Sequence, residues 1–250
     1  MLSAQDNALS MPEVLEIILL ELSLKDLLLN AQRVSRLFHD VIASSQSIQQ
    51  ALYFRPILDV SKTKTRTNPL LRKKFPPWFE DKWLMPRAYA LSDHKHFWRL
   101  DWNSNKERTE AYARKDASWR RMLVAQPPVQ ELIVKVHTEA IGGPSQSKGQ
   151  LRLSDGLRMG QFYDIVQDFV EQKPVTYFVI RWYLPPTIKD IDDMTESEDA
   201  DPSSYITIDL RQVIQSQPGL TGKIGPEFKS LAYEPIEIDY CPVIREPLYY

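Results

Sequence analysis

The chain has 250 residues, 43% of them hydrophobic and 10% aromatic, with a net charge of −2. This composition fits an ordered protein of one large domain or two small ones, and it gives no general pull toward nucleic acid or anionic membrane. Cys241 is the only cysteine, which excludes an intrachain disulfide and suits a reducing compartment, the cytoplasm or the nucleus.

Residues 1–9 read as a flexible start, without the basic cluster and apolar run of a signal peptide, and no later stretch has the apolar length of a membrane span. The next segment, 10–56, is predicted to be helical throughout. Ser10-Met11-Pro12-Glu13 has capping-box spacing, and Pro12 suits a first turn because its missing amide would have had no intrahelical partner. From Val14 to Leu22 only Glu16 and Glu21 are polar, so this helix needs cover on two sides. Ser23-Leu24-Lys25-Asp26 repeats the capping spacing, placing the end of the first helix near Leu22 and the start of a second at Leu24. Leu24, Leu27 and Leu28 share a face of that second helix. In the third, Val34, Leu37, Phe38, Val41 and Ile42 recur at helical spacing, opposite Arg33, Arg36, His39 and Asp40. Ser44 or Ser45 can cap a last short helix that buries Ile48 and Leu52, and Pro56 closes the unit. The later helices can cover one side of the first. The other side calls for another domain or another protein.

This series resembles the F-box, a three-helix motif that docks onto the Skp adaptor of SCF ubiquitin ligases. The matching residues are Pro12-Glu13-Val14-Leu15, Ile18-Leu19, Leu22, Leu24, Asp26-Leu27-Leu28, Val34-Ser35-Arg36 and Phe38. Phe38 stands where the family has Trp, Ser35 where it has Cys, and Ser23 where Pro is frequent. The order of Gln-Arg-Val-Ser-Arg, Ile-Ala-Ser-Ser and Gln-Gln-Ala-Leu-Tyr-Phe-Arg-Pro is similar to fungal F-box proteins in particular, as are Ala117–Val124, Gln126-Pro127-Pro128 and Gly156–Gly160. The resemblance implies an adaptor-binding face of Pro12, Leu15, Ile18, Leu19, Leu24 and Leu28. It leaves Leu22, Val34, Phe38 and Val41 to hold the helices together. It further implies a cullin scaffold reached through the adaptor, and a client protein held by the rest of the chain.

Residues 57–105 read as a proline- and aromatic-rich connecting region. Its basic cluster (Lys62, Lys64, Arg66, Arg72, Lys73, Lys74) precedes Phe75-Pro76-Pro77-Trp78-Phe79, whose aromatics anchor on a neighbour. A basic run with aromatics also suits single-stranded nucleic acid. Here the aromatics follow the cations without interleaving, so a solvated face is the better reading.

Residues 106–250 read as a mixed α+β unit. The expected elements are a helix from Ala117 to about Ala125 capped by Asp116 and a strand alternating through Leu132, Val134 and Val136. A loop over Gly142–Gly149 follows, then a helix through Phe162, Ile165, Val166, Phe169 and Val170 and a central strand over Val175–Leu184. Further strands are expected at Tyr205–Leu210 and Ile236–Tyr240. Seven acidic residues between Asp190 and Asp201 make 185–204 an acidic loop, without the spacing of a calcium-binding loop. No internal repeat is present, which argues against a leucine-rich or propeller type of client domain.

No catalytic motif stands out. His94-x-His96 has only Asp93 as a neighbouring ligand, Cys241 would need a base such as His137, and the Gly142–Gly149 segment lacks the phosphate-loop pattern. Neither cofactor nor metal is expected. The fold class expected is α+β, an N-terminal F-box module and a C-terminal client-binding domain, acting as a non-catalytic ligase subunit. The alternative is a small intracellular enzyme or nucleic-acid-binding protein whose N-terminal helices are only core; a pocket gathering His137, Cys241, Asp239 and Tyr177 would favour it.

Overall fold

In the computed structural model, the described residues are 9–57, 65–79, 100, 102, 105–140, 143–172, 176–183, 204–213 and 236–243. The paired histidines at 94 and 96, Lys62, Lys64 and the acidic residues 190–201 lie outside them.

The first unit is helical: α1 (Pro12–Leu20), α2 (Leu24–Leu29), a 3-10 turn (Ala31–Arg33), α3 (Arg36–Ser44) and α4 (Gln46–Ala51). Leu15, Leu19, Leu27, Ala31, Val41, Ile42, Ile48 and Leu52 form its own buried core.

The rest contains β1 (Arg66–Thr67), α5 (Pro69–Lys74), α6 (Pro76–Phe79), α7 (Lys106–Tyr112), α8 (Ser118–Arg121) and β2 (Ala125–Gln126). These are followed by β3 (Glu131–Ala140), β4 (Gly143–Arg152), α9 (Met159–Gln172), β5 (Thr176–Tyr183), β6 (Tyr205–Val213) and β7 (Cys241–Pro242). Five strands make one sheet in the order β5-β6-β3-β4-β7, with β3 and β6 parallel and the other neighbours antiparallel. Leu132, Val134, Phe178, Ile180, Ile206, Ile208 and Leu210 fill one face of the sheet, where they meet Phe162, Val166, Phe169 and Val170 of α9. The N-terminal helices followed by a mixed sheet and helix region confirm the α+β expectation.

The stretch expected to connect two units is, over 65–79, part of the second unit's core. Phe75 and Trp78 are fully buried and sit among Trp119, Tyr163 and Phe178 at ring separations of 4.8–6.0 Å. The indole of Trp78 donates to the Phe162 carbonyl at 3.2 Å, so its buried donor is satisfied.

Four further expectations are corrected. The helix foreseen from Ala117 to Ala125 is one turn, Ser118–Arg121; Met122, Leu123, Val124 and Ala125 are buried, Leu123 bridges to Arg158, and strand β2 begins at Ala125. Of the loop foreseen over Gly142–Gly149, residues 143–149 make most of strand β4, paired residue for residue with β3, and Gly142 lies outside the described residues. Its glycine-rich character has a packing reason: a Cβ on Gly149 would fall 2.3 Å from Ile238 Cγ2. The apolar strand β5 lies at the edge of the described sheet, with Tyr183 stacked on Tyr205 at 4.5 Å. Residues 236–240 cross over β4, and the pairing begins only at Cys241.

Candidate protein-docking site

Helix α1 begins at Pro12 with Met11 at its N-cap. No side chain caps it, so the Ser10–Glu13 capping box does not form. In α2 the cap is as expected: Ser23 Oγ accepts from the Asp26 amide at 3.1 Å and donates to Asp26 Oδ2 at 2.7 Å. A second bond to Asp26, from Asn30 Nδ2 at 2.7 Å, completes the turn. These bonds to the ionised carboxylate, that from Ser23 first, hold the Asp26 pKa below its ordinary value. Ser35 caps α3 through the Phe38 amide, and Ser45 caps α4 through the Ile48 amide.

These caps fix which side chains turn inward. Leu15 and Leu19, four residues apart on α1, are fully buried against the other helices. Ile17 lies two residues from each, on the opposite side, and is 65% exposed; Ile18 is 43% exposed. Of the twelve exposed large apolar side chains among the described residues, nine fall between Leu9 and Leu37: Leu9, Met11, Ile17, Ile18, Leu20, Leu22, Leu29, Val34 and Leu37. Concentration in one small helical unit marks a surface built to be covered, since scattered apolar residues are ordinary and clusters are not.

The expected division of this unit into an adaptor face and an internal face changes for four residues. Leu15 and Leu19 belong to the internal core and are not available to a partner, whereas Leu22 (39% exposed) and Val34 (63% exposed) lie outside it. Val34 precedes the Ser35 cap, so it does not share the phase of α3; the buried face of that helix runs Phe38, Val41 and Ile42. Pro12 and Ile18 are exposed, Leu24 and Leu28 are half-buried against the core, Phe38 is half-buried, and Val41 is buried. Sequence periodicity missed Ile17, Leu20 and Leu29 as surface residues, because a helix apolar all round gives no phase. Its neighbours supply the phase.

The helical unit is joined firmly to the sheet unit. Leu28 and Phe54 pack against both cores. Tyr53 takes a positive φ of 63°, which turns the chain out of α4, and its carbonyl accepts from the Leu123 amide at 2.7 Å. Buried Gln126 donates through Nε2 to the carbonyls of Gln50 (3.3 Å) and Arg55 (2.7 Å), and its Oε1 accepts from the Ile57 amide at 2.8 Å. Arg158 Nη1 donates to the carbonyls of Arg121 and, at 3.4 Å, Phe54.

Of the residues that would have favoured an enzyme, Tyr177 and His137 stand on β5 and β3 at one register level, each opposite Arg211 of β6. His137 lies on β3 with Nε2 at 3.6 Å from Asp209 Oδ1, and Arg181 pairs with the other oxygen of that buried carboxylate. Burial, and then the neighbouring Arg211 charge, hold the His137 pKa below 6.5, outweighing the pull of Asp209. Cys241 is exposed on β7 and Asp239 is exposed before it. Among the described residues no group of His, Cys, Asp or Glu could hold a metal, and no helix is long and apolar enough to cross a membrane.

No curated protein and no solved structure matches the chain. A family model of the F-box domain matches residues 9–49, the helices that carry the exposed apolar belt, so this part of the chain is an F-box domain.

Proposed function

We propose that this chain is the client-recruiting subunit of an SCF-type ubiquitin ligase, with its helical unit on a Skp adaptor and its sheet unit toward a client. An F-box domain supports an SCF adaptor role in general and implies binding to the Skp adaptor. The observation that carries the proposal for this chain is the apolar belt of Ile17, Ile18, Leu20, Leu22, Leu29, Val34 and Leu37, bare on a unit whose core is already complete. With Pro12 beside them, these are the side chains we assign to the adaptor interface, and the cytoplasm or nucleus is where such a complex would work.

The chemistry required of such a subunit is positional. Holding a client next to a charged conjugating enzyme turns an encounter between separate molecules into one within a complex, which raises the effective concentration of the reacting lysine. No side chain of this protein then needs to touch the bond being made.

The test is co-expression of the full chain with a Skp adaptor and size-exclusion chromatography of the product. The full chain is needed because Leu28 and Phe54 pack on the sheet unit as well as on the helices. A stable 1:1 complex is expected, lost on Ile18→Asp because the belt would bury an unpaired charge. A folded Ile18→Asp protein that still forms the complex overturns the interface, and absence of any complex overturns the role.

A further inference from the structure

A cleft of about 800 Å³ runs along the joint between the F-box helices and the sheet unit, within the volume range of ligand sites. One wall is apolar, made by Leu28, Leu29, Ile42 and Phe54. The lining also carries three guanidinium groups, Arg55, Arg121 and Arg158, from three separate segments of the chain. Among the described residues no Asp or Glu lines the cleft, and no carboxylate pairs with any of the three arginines. His39 also lines it but already faces Asp40 Oδ1 at 3.1 Å.

Two of the arginines are held in place by contacts that leave their charge uncompensated. Arg158 donates only to the backbone carbonyls of Arg121 and Phe54, and Arg121 lies over the Phe54 ring at 5.4 Å. The Arg55 backbone is fixed by Gln126 while its side chain stays exposed. Three clustered cations beside an apolar wall form a preorganised receptor for a chain that alternates carboxylates with bulky apolar side chains.

We propose that this cleft is a docking site for an acidic peptide segment of a client protein, its carboxylates on Arg55, Arg121 and Arg158 and an apolar side chain against Leu28 and Phe54. The proposal rests on the recruitment reading only in calling the peptide's source a client. A peptide suits the cleft better than a nucleic acid because five of its twelve lining residues are aliphatic or a single phenyl ring, with no series of aromatics on which bases would stack.

The test uses the full chain and fluorescein-labelled peptides of alternating Glu and Leu, read by fluorescence anisotropy. Parallel arms replace Glu by Gln, by Lys and by phosphoserine, and a labelled single-stranded oligonucleotide is the last arm. The Glu peptide is expected to bind, with the Gln peptide weaker by about tenfold or more, as loss of charge-assisted bonds requires. Binding should weaken in high salt. The exposed pair R55E/R121E should lose the Glu peptide and gain the Lys peptide, with adaptor binding and the thermal melt unchanged. Absence of Glu-peptide binding, equal binding of Glu and Gln peptides, or an R55E/R121E protein that binds as before overturns the proposal. So does preference for the oligonucleotide, or binding of the phosphoserine peptide alone. Because adaptor binding is read separately, failure here leaves the recruitment reading standing, and failure of the adaptor complex leaves the cleft assignment standing.

Discussion

Gln126 and Arg55 lock the two units of this protein together: the Gln126 side-chain amide donates to the Arg55 carbonyl at 2.7 Å from a position that is 5% exposed. The same side chain accepts from the Ile57 amide, so one residue satisfies backbone groups that water reaches poorly. Gln126→Leu keeps the bulk and strands both groups. A loss of about 2 kcal/mol is expected, the usual cost of leaving a buried donor or acceptor without a partner, measured as a shift in the urea unfolding midpoint.

Neighbouring residues of α1 should answer very differently to substitution. Leu19→Ala removes a fully buried side chain and is expected to cost about 3 kcal/mol. Ile17→Ala, at a position 65% exposed, should cost less than about 0.5 kcal/mol and still weaken the adaptor complex. Thermal melts of the free proteins beside pull-downs with the adaptor separate the two effects. Equal destabilisation by both variants would mean that α1 has been rotated about its axis from the orientation described.

The start of α3 can be tested at its cap. Ser35 Oγ accepts from the Phe38 amide at 3.3 Å, and Ser35→Ala should destabilise the protein by about 1 kcal/mol. If the helix instead began ahead of Val34, Ser35 would be an ordinary exposed helical residue and alanine there would be neutral or stabilising.

A pH effect is expected on the polar face of the sheet. The His137 pKa is held below its ordinary 6.5, so between those values the unfolded chain binds more protons than the folded one. Stability should therefore be intact above about 6.5 and fall as the pH drops through that value. His137→Gln should flatten this part of the stability–pH curve, recorded by chemical unfolding at a series of pH values. A slope unchanged in the variant would assign it to another group.

The F-box helices were legible because caps and apolar spacing act over three or four residues, and the Ser23 and Ser45 caps and the Phe38, Val41 and Ile42 face appear as read. What failed was phase. An all-round apolar helix such as α1 does not say which side its neighbours will take, so Leu15 and Leu19 were expected outside and are inside. Val34 was drawn into a helix whose cap, Ser35, lay one position later. Farther on, β4 reads as a loop because Gly, Ser, Gln and Lys have poor strand preference, and only its partner β3 and the close approach of Ile238 to Gly149 make it a strand. The cleft was invisible for a related reason: Arg55, Arg121 and Arg158 are far apart in the chain, and the joint alone brings them to one cleft.

The double membership of Leu28 and Phe54, each wedged into both hydrophobic cores, bears on how a ubiquitin chain would be started. On the proposed role, a cargo held by the sheet unit would turn together with the adaptor-docked helices, and the lysines it offers would be selected by angle and distance and not by the slack of a tether. Slipping a few glycines and serines in after Pro56, and breaking the Gln126 bonds, should convert this into a loose leash, with ubiquitin then spread over more cargo lysines and each one modified more slowly.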